Sequence, residues 1–141
     1  MGKYFGKGMP VPAFERDTKD FWEGCKQHKL LIQRCDQCGT YRFNPTPVCA
    51  HCLSFKHSLV ESAGIGEVWS FIVVPHPVHP GVKESVPYNA AIVQLNDCGS
   101  VKLTSNVINC KNEEVHIGMA VKVVWEDSED EVTYYRFEPI K

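Results

Sequence analysis

No apolar run in this 141-residue sequence approaches the ~20 residues that a bilayer-spanning helix requires. Residues Met1 to Pro12 lack a basic stretch followed by an apolar core, so no secretory leader is read there. Charge of one sign is scarce as well. The formal net charge is −2, and no block of Lys and Arg forms the clustered footprint on which a phosphate-backbone binder depends. The acidic run Glu126-Asp127-Ser128-Glu129-Asp130-Glu131 reads as a solvated turn. Also missing are a phosphate loop, a Ser-His-Asp elbow and a paired acid/base spacing. The sequence therefore offers no catalytic set. Seven cysteines are an odd number for a disulfide framework, and with no export signal they place the chain in a reducing cytosol.

What is present reads as one or two small domains, mainly β with a short N-terminal helix. The first dozen residues, rich in Gly, Lys and Pro, form a loose arm. Asp17 or Thr18 caps a helix that carries Phe21, Trp22 and Cys25 on one side and stops near Gln27-His28. A strand over Leu30–Arg34 follows. Residues Glu67–Val74 read as a central strand, because both of its faces are apolar. Prolines 75, 77 and 80 then force a loop that carries His76 and His79. Tyr88–Leu95, Ser100–Ile108, Val115–Trp125 (interrupted at Gly118) and Val132–Phe137 are further strands, with Asn96-Asp97-Cys98-Gly99 as a hairpin turn. Five short antiparallel strands predict a small closed or nearly closed barrel, of which the five-stranded OB-fold is the commonest type. The expected division is 1–29 for arm and helix, 30–60 for the metal knuckles and 61–141 for the OB-fold.

The strongest chemical signal is Cys35-Asp36-Gln37-Cys38-Gly39 followed by Cys49-Ala50-His51-Cys52. Two Cys-x-x-Cys pairs on tight turns aim four thiolates at one point, which suits tetrahedral zinc. Iron in a redox site is the rival, since tetrahedral sulfur also suits iron. Four cysteines fill every coordination position and leave none for water or substrate, so the metal is structural. Cys25, Cys98 and Cys110 have no neighbouring base and read as buried or incidental thiols. His76 and His79 lack a third ligand and read as loop histidines. Trp22, Tyr41 and Phe43 flank the knuckles, where core volume is small, and are expected to be covered by a partner.

The pattern Asp17-x-x-x-Phe21-Trp22, Leu30-x-x-Gln33-Arg34-Cys35-x-x-Cys38-Gly39, Phe43-x-Pro45, Cys49-x-x-Cys52 resembles the head of the DUF35 family. The likeness continues through Gly64-x-Gly66-x-Val68-x-Ser70-Phe71, Pro87-Tyr88, Leu103-x-Ser105-Asn106 and Ile117-Gly118-Met119-x-Val121. The resemblance implies a rubredoxin-like zinc ribbon followed by a five-stranded OB-fold barrel, holding one structural zinc per chain. It also implies a non-catalytic accessory subunit of a thiolase-superfamily enzyme, assembled as a heterotetramer, with acyl-CoA at or near the interface. The residues it puts forward for partner or acyl-CoA contact are Phe21, Trp22, Arg34, Tyr41, Phe43, Tyr88 and Asn89. The chain departs from the family at Phe43-Asn44-Pro45-Thr46, where Phe-Pro-Pro-Arg is frequent, and at Ala50, where proline is usual. Thr46 removes a cation from a possible CoA-phosphate contact and leaves Arg34, Arg42 and Lys102 as substitutes.

Two other functions remain open at this level. Zinc ribbons and OB-folds each bind nucleic acid in other proteins, although the few basic residues here argue against it. An iron–thiolate electron carrier is the other, and visible colour separates it from zinc.

Overall fold

The computed structural model describes residues 4–5 and 10–140. The rest of the arm, residues 1–3 and 6–9, lies outside the described residues, as does Lys141.

The helix α1 spans Lys19–Lys26, with Thr18 before it. The expected cap is not made. Thr18 has helical dihedrals, and its hydroxyl instead accepts from the Glu15 N–H (3.1 Å) and donates to the Ala13 carbonyl (3.3 Å). α1 lies on a three-stranded antiparallel sheet of β1 (Leu30–Cys35), β2 (Tyr41–Arg42) and β3 (His57–Ser62), in the order β2-β1-β3. β2 and β3 are additions to the sequence reading, and β3 runs across residue 60. Its segment HSLVES is mostly solvated and carries little of the alternation that marks a half-buried strand.

The second sheet contains β4 (Ile65–Val74), β5 (Tyr88–Leu95), β6 (Lys102–Ser105), β7 (Ala120–Asp127) and β8 (Thr133–Pro139), in the order β6-β5-β4-β7-β8. All neighbours are antiparallel. The sheet curls until its two outer strands meet. Val107 bridges Phe137, and Ile108 N–H donates to the Phe137 carbonyl at 2.8 Å. This is the five-stranded OB-fold barrel. β5 alternates strictly, turning Asn89, Ala91, Val93 and Leu95 inward.

One apolar cluster joins all three parts. Phe21 and Cys25 from α1 and Leu30 and Ile32 from β1 pack with Val68, Val93, Leu103, Val121 and Phe137 of the barrel. A single core explains how so small a ribbon can hold its orientation.

Two expectations need correction. The interruption expected at Gly118 is where Val115–Trp125 breaks, but the part before it is not strand at all. The chain turns between His116 and Met119, where Gly118 has φ of 88° and Met119 N–H donates to the His116 carbonyl, and β7 begins only at Ala120. Positive φ strains L side chains and suits glycine. As a consequence, β4 is not central along its whole length. It pairs with β7 through Ile65–Glu67 only, whereas its pairing with β5 continues to Val74.

The arm is the second correction. Tyr4 and Phe5 are docked on the barrel, not loose. Tyr4 N–H donates to Glu126 Oε2 (3.2 Å), and Asn89 N–H donates to the Tyr4 hydroxyl (3.1 Å). Both rings face the Arg136 guanidinium, at 5.7 and 5.4 Å. Beneath them Arg136 Nε donates to Glu126 Oε2 at 3.0 Å.

Asn89 is the polar hinge of the barrel seam. Its Nδ2 donates to the Val107 carbonyl (2.8 Å) and to Asn112 Oδ1 (3.0 Å), while Oδ1 accepts from Val107 N–H (2.7 Å). Asn89→Leu leaves those buried groups unsatisfied at a cost of ~1–3 kcal/mol each. Urea unfolding is expected to show a loss of at least about 2 kcal/mol; an unchanged midpoint would contradict this role.

Candidate functional site

The two knuckles are built alike. Gly39 N–H donates to the Cys35 carbonyl (3.0 Å), and Leu53 N–H donates to the Cys49 carbonyl (2.9 Å). Cys35 N–H reaches Thr40 O, and Cys49 N–H reaches Ser54 O, each at 2.9 Å. Both turns close on a left-handed residue, Gly39 at φ 77° and Leu53 at φ 66°. Glycine takes that conformation freely, whereas Leu53 is held there against its Cβ.

These turns bring the four sulfurs of Cys35, Cys38, Cys49 and Cys52 within 4.8 Å of one another. The Cys35–Cys52 and Cys38–Cys49 pairs are 3.5 and 3.6 Å apart. Zinc–sulfur bonds of about 2.3 Å in a tetrahedron set sulfurs about 3.8 Å apart, so the donor set fits zinc. The Thr40 hydroxyl, 3.1 Å from Cys38 Sγ, and then the Thr40 backbone N–H hold the Cys38 thiol down at about 5. Cys35 is also lowered, first by the backbone N–H of Cys38. Cys52 goes the other way without a metal: the Ser54 backbone N–H lowers it, but burial and the neighbouring Cys35, Cys38 and Cys49 sulfurs outweigh that and push it up to about 12. Thiolates are the metal-binding form. Among the described residues, these four cysteines are the one group of three or more side chains placed to share a metal.

The other thiols have the opposite environment. Burial pushes Cys25 up to about 12. Burial and then the Asp97 charge push Cys98 up to about 11, and burial raises Cys110. A nucleophilic cysteine needs the reverse shift. His79 has a local role, since its Nδ1 accepts from Gly81 N–H at 2.9 Å.

The residues put forward for partner contact separate into two groups. Phe21 is 3% exposed and Asn89 1%, so neither side chain is available to a partner. Their places are the shared core and the barrel seam. Trp22, Tyr41 and Phe43 are half-buried, because the barrel supplies cover that the ribbon lacks. Trp22 packs on Phe14, Phe21, Tyr134 and Tyr135, and Phe43 packs on Phe21 and Tyr135. The edges left open still form an aromatic border between α1, the ribbon and β8. Tyr88 meets the ring of Phe5 edge-on.

Of the cations, Arg34 is exposed over the Tyr41 ring, and Lys102 lies over Trp69. Arg42 is engaged within the ribbon, donating to Gln33 Oε1 (2.8 Å) and to the Thr46 carbonyl (3.0 Å). Sequence reasoning missed a cleft of about 360 Å³ between α1 and the ribbon, lined by Arg16, Asp20, Gln33, Pro45, Phe55 and His57. Its walls come from four separate segments, so no local motif announces it.

The paired knuckles and the curled sheet define a zinc-ribbon protein with an OB-fold. Residues 22–58 match the family described as "ChsH2, rubredoxin-like zinc ribbon domain", and residues 59–126 match "ChsH2, C-terminal OB-fold domain". The chain is 34% identical to the "DUF35 domain-containing scaffold protein" of Methanocaldococcus jannaschii, over 85% of this chain and 89% of that one. It therefore belongs to the DUF35 family. It is also 40% identical to the "Probable enoyl-CoA hydratase alpha subunit" of Thermomonospora curvata, over 92% of this chain; the match spans only 40% of that relative's length. A chain of the solved "Ltp2-ChsH2(DUF35) aldolase" superposes with a TM-score of 0.82 at 40% identity, covering 92% of this chain and 98% of that one.

Proposed function

We propose that this chain is the non-catalytic zinc subunit of an acyl-CoA enzyme complex whose catalytic partner belongs to the thiolase superfamily. The observation that carries the reading is the near full-length match to a chain of the aldolase structure. The site chemistry supports it. All four cysteines of the cluster are placed to share a metal, and the remaining thiols are held protonated by burial. Acyl transfer at a thioester needs an activated nucleophile and an oxyanion site, and the partner carries both. Bound zinc supplies folding free energy to a ribbon too small to fold on its own core.

In this reading the half-buried border of Trp22, Tyr41 and Phe43, with Arg34 beside it, docks on the enzyme. The Pro87-Tyr88 segment borders the acyl-CoA entrance. Two copies on an enzyme dimer then form a heterotetramer.

The test is isolation of the complex from native cells through a tag on this chain. The wild-type chain should retain a thiolase-fold enzyme that acts on an acyl-CoA. Trp22→Ala should weaken retention at least about tenfold, since truncating an aromatic anchor costs ~2–4 kcal/mol, while zinc content stays unchanged. A hydratase as the retained enzyme would replace the thiolase assignment, and undiminished retention by Trp22→Ala would remove this docking face.

A further inference from the structure

The outer half of β4 is built as an open edge. Up to Val68 its far side is closed, since Val68 N–H donates to the Met119 carbonyl and Gly118 N–H donates to the Val68 carbonyl. There the turn at Gly118 carries the chain away. Among the described residues no strand pairs with Trp69–Val74 on that side, although β5 pairs with the other side as far as Val74. In a strand with one neighbour, alternate residues direct their backbone N–H and C=O groups outward. Those groups are a template for another strand.

Protection is confined to the start of the segment, where the ladder shifts register at Trp69 and Lys102 lies over its ring, and Ser70–Val74 has none. Trp69-Ser70-Phe71-Ile72-Val73-Val74 carries no charge and no proline, the devices that commonly blunt an edge. Trp69 is 51% exposed, Ile72 62% and Val73 41%. Ile117, 69% exposed, stands at the corner where β7 pairing stops. A register shift between Val68 and Ser70 puts Trp69 out of the regular ladder, and Lys102 Nζ covers its ring at 4.9 Å. Pro75 ends the edge, so the template is six residues long.

We infer that Trp69–Val74 is a docking edge that takes an extended, uncharged apolar strand of the partner enzyme into the barrel sheet. The inference rests on the accessory-subunit reading and adds the element that joins the two chains. The open ladder selects an extended segment, and the uncharged edge selects an apolar one. A second copy of this chain fits less well. Six residues a side fall far short of the ~20–30 that a stable interface uses, so this edge must be one element of a wider contact.

Amide hydrogen exchange on the intact chain, free and in the complex isolated from native cells, tests the inference. Alternate amides of Trp69–Val74 should slow at least about tenfold on assembly. Ile72→Lys, at an exposed position, should reduce retention of the enzyme by about tenfold with zinc content and circular dichroism unchanged. An assembled complex in which these amides exchange at the free rate overturns the inference and leaves the subunit reading standing. Failure to retain any acyl-CoA enzyme overturns both. If the free chain is a dimer that Ile72→Lys converts to a monomer, the edge belongs to a second copy. If the amides are already slow in the free chain and speed up when residues 1–9 are deleted, the arm is the occupant.

Discussion

Cys49→Ser is expected to empty the metal centre and melt the ribbon while much of the barrel persists. Structural zinc contributes apparent binding free energies of ~10–16 kcal/mol in small zinc domains, a gain available only to the folded site. With three sulfurs left, β1, β2 and β3 lose the point that holds both knuckles together. The barrel supplies Val68, Val93, Leu103, Val121 and Phe137 to the shared cluster and keeps its sheet. Phe21, Leu30 and Ile32, which the ribbon half contributes to the same cluster, become exposed. Elemental analysis should give about one zinc per wild-type chain and little iron, with no visible colour, and well below one zinc for Cys49→Ser. A variant that keeps full zinc would refute the four-cysteine assignment. A coloured wild-type protein rich in iron would revive the electron-carrier reading.

Arg136→Leu is expected to cost ~3–5 kcal/mol, because it leaves the Glu126 carboxylate buried with its cation removed. The two side chains are 10% and 3% exposed, and the Nε–Oε2 distance is 3.0 Å. Arg136 also donates through Nη1 to Asn106 Oδ1 at 2.6 Å, which ties β8 to the seam of the barrel. Tyr134, Tyr4 and Phe5 surround the guanidinium, so its loss also frees the arm. Urea unfolding followed by tryptophan fluorescence measures the effect. A loss below about 1 kcal/mol, the size usual for an exposed pair, would show that the charge is solvated after all.

The metal centre was legible because zinc ligation is local: Cys-x-x-Cys fixes two ligands on one turn, whatever surrounds them. Tyr88–Leu95 was equally legible, since its burial alternates with period two throughout. Legibility failed where distant parts of the chain decide. Trp22 and Phe43 look stranded beside a thin ribbon until Tyr134 and Tyr135 of β8 cover them. Asn89 looks like a free polar tip until the Val107 backbone closes on it. The Val115–Met119 alternation imitates a strand; Gly118 marks an interruption in the sequence, but the backbone there shows a full turn away from β4. That misreading concealed the open edge of β4. The arm failed for the same reason, as its Gly and Lys content speaks of freedom while the Arg136 face supplies an anchor for Tyr4 and Phe5.

The central claim is that this chain assists catalysis without performing it. The most direct measurement is acyl-CoA turnover by the purified partner enzyme as this chain is titrated in, with this chain alone as a control. The account predicts no turnover by the chain alone and a rise in partner activity that saturates at one chain per enzyme subunit. Full activity of the partner without the chain, or turnover by the chain alone that is abolished by changing Cys25, Cys98 or Cys110, would contradict it.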